Sequence, residues 1–169
     1  MHARTAPYLA VSPARLSPSL AVWEAVTRGA LAAERAGRAV VALGGYRRAL
    51  ALARQLIDFA PLSPRAPLPP AEDRVAALVA SWHNLATLLA ARGDLARAAA
   101  HLCEAHEAVV ALYLDTHRDA TLRRAALRHS RETHLALVYH EKAHGPHPLT
   151  TRALRAGQLA LDVDRARTH

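Results

Sequence analysis

Aromatic residues make up only 4% of this 169-residue sequence, and cysteine occurs once, as Cys103. So few rings leave almost nothing for base stacking, so nucleic acid is not the expected partner even though arginine is abundant. A single cysteine excludes an internal disulfide and suits a reducing compartment. Met1 to Leu20 carries Arg4, Arg15 and several prolines with no apolar run of signal-peptide length, and no stretch elsewhere reaches membrane-spanning length. The expected location is therefore a bacterial-type cytoplasm, with no membrane partner. No phosphate-cradling glycine loop is present, because Gly44-Gly45 lies inside a helix-like stretch with no strand before it. Ser130 beside His129 and His134 makes no nucleophilic triad, since adjacent helical residues diverge.

Hydrophobic residues nevertheless reach 51% of the chain, mostly alanine and leucine, which form helices well and strands poorly. An all-α fold follows. The length suits one domain with a real core. Lys142 is the only lysine among 22 basic residues, and the net charge of +8 favours acidic partners without choosing among them.

The clearest pattern runs from Trp82 to Val110. Leu78, Trp82, Leu85, Leu88 and Leu89 fall on one stripe of a helix, with the small polar Ser81 beside it. Gly93 stands where a helix C-terminus needs positive φ, and Asp94 can cap the next helix. Beyond it Ala98, Leu102 and Ala105 alternate small and large, so two antiparallel helices can approach closely. These residues resemble the tetratricopeptide repeat: Trp82, Leu85, Ala98 and Leu102 stand at its signature positions, with Ala86 and Leu89 replacing the usual Gly and Tyr, and Val110 where many repeats have Pro. The resemblance implies stacked hairpins in a right-handed solenoid with a binding groove made mainly by the first helix of each pair, and no chemistry.

An earlier stretch repeats the theme, with Gly37-Arg38 as the turn and Ala42, Tyr46 and Ala49 at the same small, large, small spacing. Residues 1–16 read as a loose N-terminal arm, with Ser17-Pro18 starting the first helix, and residues 17–169 as one helical domain of about six helices. Its hairpins are expected at about 17–59, 71–114 and 120–165. Pro61, Pro64, Pro67, Pro69 and Pro70 make 60–70 a stiff connector. In the third hairpin Leu122, Leu127, Leu135, Val138 and Tyr139 form the apolar series of a long helix, and Thr150 or Thr151 is expected to cap the last one.

Site residues follow from this layout. His83, Asn84 and Thr87 sit off the packing stripe of the central hairpin and are the expected groove residues, with Arg128 and Arg131 in the third; ordinary solvated positions would look the same. Histidine is enriched, with 11 residues of which all but His2 lie at or beyond His83. Cys103 and His106 share a helical face, while His101 points away from Cys103; His83 and either His129 or His134 would come to a similar level. That set could hold a soft or borderline ion, zinc or copper, although a small thiol and a hydrogen-bonded imidazole beside Leu102 and Ala105 serve packing equally well. His140-Glu141-Lys142-Ala143-His144 resembles the zinc-peptidase His-Glu-x-x-His motif over five residues only; Lys142 and the helix end at Gly145-Pro146 make a chance match the better account.

The expected function is therefore non-enzymatic binding of a protein or peptide, with no cofactor required. A metal-binding or metal-sensing helical protein is the alternative, and a zinc hydrolase ranks below both. The exposed ends of a short solenoid pair readily, so a homodimer fits the same reading.

Overall fold

The computed structural model describes residues 19–59 and 68–167. Among them run six helices and no strand: α1 (Leu20–Arg35), α2 (Ala39–Asp58), α3 (Ala71–Ala91), α4 (Leu95–Leu114), α5 (Ala120–His144) and α6 (Pro148–Arg167). The all-α expectation holds. The predicted arm, the Ser17-Pro18 start and residues 60–67 of the connector lie outside the described residues. None of the described helices is long and apolar enough to cross a membrane.

Two of the turns are built alike. Gly37 has φ of 70° and Gly93 of 78°. The next amide folds back across the glycine in both: Arg38 N donates to Ala33 O at 2.8 Å, and Asp94 N to Leu89 O at 2.9 Å. This pattern satisfies carbonyls at the helix end and needs a left-handed residue, which glycine supplies at no steric cost. The Asp94 side chain then accepts from Arg97 N at 3.1 Å and starts α4. Asp119 does the same for α5, accepting from Thr121 N and Leu122 N.

The small, large, small spacing packs as expected in both second helices. Ala42, Tyr46 and Ala49 are buried in α2, and Ala98, Leu102 and Ala105 in α4. The core is continuous from α1 to α5, with Leu78, Trp82 and Leu85 of α3 at its centre. Tyr46 keeps its hydroxyl satisfied by donating to Glu34 Oε2 at 2.6 Å, and Trp23 Nε1 of α1 donates to Ser81 Oγ of α3 at 2.9 Å.

Gly44 and Gly45 weaken α2 for different reasons. A Cβ on Gly45 would lie 2.7 Å from Ala30 Cβ and 3.2 Å from its Cα, whereas one on Gly44 would meet nothing within 4 Å. Gly45 is thus required by the close crossing of α1 and α2. Gly44→Ala is expected to stabilise the fold by about 1 kcal/mol through helix propensity alone. Gly45→Ala should destabilise it by about 1–3 kcal/mol through overpacking. Urea unfolding of the two variants checks the sign of each.

The third pair departs from the regular hairpin. α6 packs chiefly on α4 and touches α5 little. The apolar series does mark a long helix, α5, but of its members only Leu122 is buried, while Leu127, Leu135, Val138 and Tyr139 are exposed. The periodicity is genuine, but its outer face has no helix against it. A correction concerns the cap: α6 begins at Pro148, whose fixed φ suits a first helical position, so Thr150 and Thr151 lie inside the helix.

Candidate partner-binding groove

α3 and α5 lie side by side with a groove of about 550 Å³ between them. His83 and Thr87, one turn apart, come from α3; Tyr139, His140 and His144 come from α5; Leu102 of α4 lies beneath. Four-residue spacing aligns His83 with Thr87 and His140 with His144 along their helices. His140 and His144 stand with ring centroids 4.8 Å apart. Burial lowers the His140 pKa first, and the neighbouring His144 and His147 lower it further.

Next to the groove a polar chain ties the two helices together. Glu132 lies 3.7 Å from His83 Nδ1 through one oxygen, and 2.8 Å from His129 Nδ1 through the other. His129 Nε2 in turn lies 3.1 Å from Glu72 Oε1. Arg128 Nε donates to Glu72 Oε2 at 3.0 Å, and this guanidinium chiefly holds Glu72 below the usual carboxylate range. His83 is the inner end of the chain. Burial lowers its pKa, Glu132 opposes that shift, and its Nε2 is buried with no hydrogen-bond partner.

The expected groove residues therefore separate. His83 and Thr87 line the groove, whereas Asn84 is half-buried beside it and Arg131 is an exposed residue outside it. Arg128 is engaged with Glu72. Tyr139, His140 and His144 were not among the expected groove residues. In the sequence Tyr139 belongs to the apolar series of a long helix, and His140 and His144 to a motif; the common helical face of the two histidines was the signal.

Glu141, the middle of that motif, is committed elsewhere. Its Oε1 accepts from Thr150 Oγ1 and, at 2.9 Å, from Thr151 Oγ1, which pins the start of α6 to the end of α5. These hydroxyls lower the Glu141 pKa.

The proposed metal set is also divided. Cys103 is buried, and burial followed by Glu107 pushes its thiol up to about 11, away from the thiolate a metal would take. His106 is only 1% exposed, with Nδ1 2.9 Å from Thr133 Oγ1 and its ring 5.9 Å, centroid to centroid, from that of His134 in an edge-on contact. Its far side faces α6, where a Cβ on Gly157 would come within 2.1 Å of His106 Nε2. Gly157 thus leaves room for the imidazole. Burial, then His134, lowers the His106 pKa to about 4. His83 and His129 meet through Glu132. Among the described residues no three His, Cys, Asp or Glu side chains are gathered to hold a metal ion.

Residues 21–169 match the family described as "Protein of unknown function (DUF2753)". The chain belongs to this family. The DUF2753 match begins inside α1 and runs through α6, so the groove, the polar chain and the seat of His106 all fall within it. No curated protein and no solved structure matches the chain.

Proposed function

We propose that this DUF2753 protein is a non-enzymatic scaffold, similar to tetratricopeptide-repeat proteins, that holds a protein or peptide segment in the groove between α3 and α5. The carrying observation is the lining: His83 and Thr87 of α3 stand across an apolar floor from Tyr139, His140 and His144 of α5. A concave, mostly apolar surface edged by a few polar side chains suits an incoming segment.

The supporting arrangement is that of two packed hairpins followed by a fifth helix stacked in the same order. α1, α3 and α5 are the first helices of their pairs, and each packs on the next, as a repeat stack requires of its inner face. The groove has an apolar floor at Leu102 and Ala86, an exposed Tyr139 and no lining carboxylate. With a net charge of +8 the chain favours an acidic segment there.

Affinity capture with the intact chain as bait tests this reading. Thr87→Arg places a long charged side chain in the groove and is expected to reduce partner recovery roughly tenfold, as loss of a central contact does. Its thermal unfolding should stay near that of the unaltered chain, since Thr87 is exposed. Equal recovery of every partner by both baits would rule the groove out.

A further inference from the structure

We propose that the cleft between α2 and α4 is a second docking site, which takes an arginine-bearing peptide segment of a partner protein. The backbones of α2 and α4 are not in contact, and the cleft, of about 580 Å³, opens over α3. Its floor is apolar, made by Ile57, Leu78, Trp82 and Leu112. This site shares no helix pair with the α3–α5 groove and stands independently of it.

Its charge identifies the occupant. At one end the single Arg118 guanidinium is shared by two carboxylates, Asp58 at 2.8 Å and Asp115 at 3.4 Å, so that end keeps a negative excess. Toward the other, Trp82 Nε1 donates to Glu104 Oε2 at 3.0 Å, His101 Nδ1 lies 3.2 Å from the same oxygen, and the two fix that carboxylate at the rim. Glu107, one turn along α4, has no ion pair among the described residues. A strongly basic chain thus presents a cleft whose unmatched charge is negative.

Arg54 shows how a guanidinium fits. It reaches from α2 to lie 5.2 Å from the centroid of the Trp82 ring, and it makes no ion pair among the described residues. A guanidinium can stack on an aromatic face while its edge donates to a carboxylate, which an ammonium does less well. Arg54 is exposed and can swing into solvent. An incoming arginine would then take its place over Trp82 and reach Glu104 or Glu107, while an apolar neighbour in the peptide covers Leu78 and Leu112.

The test is calorimetric titration of the intact chain with an acetylated, amidated hexapeptide carrying two arginines and two leucines, beside its glutamine-for-arginine counterpart. Saturable 1:1 binding of the arginine peptide alone is expected. The pair Glu104→Gln and Glu107→Gln should weaken it roughly tenfold, and Arg54→Ala, which removes the resident competitor, should strengthen it. Absence of saturation up to about 1 mM would overturn the proposal, as would equal binding of the glutamine peptide or unchanged binding by the glutamate variants. Sedimentation on the same samples identifies another occupant: a dimer dispersed by the glutamate variants would make a second copy the partner and overturn the peptide assignment. Circular dichroism melts of the variants confirm that each measurement is made on folded protein.

Discussion

Trp82→Ala is expected to cost about 3–5 kcal/mol of folding stability, a large share of the roughly 5–15 kcal/mol that a domain holds. Trp82 is 3% exposed and sits where α2, α3 and α4 meet, so its removal opens a cavity that no single helix can close. Its indole also gathers Glu104 from α4 and Arg54 from α2. Those polar contacts are at the cleft surface and add little; the buried ring carries the loss. Trp82→Phe keeps a ring in place and should cost less than the alanine change. Urea unfolding followed by far-UV circular dichroism measures both, without relying on the tryptophan being replaced. A loss below about 1 kcal/mol for Trp82→Ala would show that the helices do not depend on this contact.

Acidification is expected to remove about 3 kcal/mol through His106. The folded chain holds this imidazole neutral, with a pKa of about 4 against the ordinary 6.5. Between these values the unfolded chain takes up a proton that the folded chain refuses. The contribution is therefore complete above pH 6.5 and is lost as pH falls through about 4. The physical cause is local: the ring is enclosed by Gly157 of α6 and Thr133 and His134 of α5, with no carboxylate bonded to it. Stability of His106→Gln, measured beside the unaltered chain from pH 7.5 down to about 4, isolates the effect from the other histidines. The variant should be the less stable at neutral pH, and the difference should shrink with acid. Parallel profiles would show that His106 does not titrate across this window.

The hairpins were legible because their signals are local. Gly37, Gly93 and Asp94 act through the backbone within a few residues, and the spacing of Ala42, Tyr46 and Ala49 fixes a face by helix geometry alone. The position of α6 was not legible. Periodicity says which residues of α5 share a face, but not that α6 leans on α4 and leaves Leu135, Val138 and Tyr139 uncovered. The role of Gly157 was not legible either, because its fit to His106 joins residues about fifty positions apart in sequence. The same limit applied to the site. His83 and Thr87 stood off the packing stripe and do line the groove, while His140 and His144 stood in a motif whose central Glu141 is occupied by Thr150 and Thr151.

The groove between α3 and α5 is the proposed meeting point of this DUF2753 protein and its partner. Site-specific photo-cross-linking in the producing cell tests it most directly, with a photoreactive amino acid placed at Thr87 in one chain and at Arg47, exposed on α2, in another. A discrete partner adduct is expected from position 87 and none from position 47. An adduct from position 47 with none from 87 would place the partner on another face and contradict it.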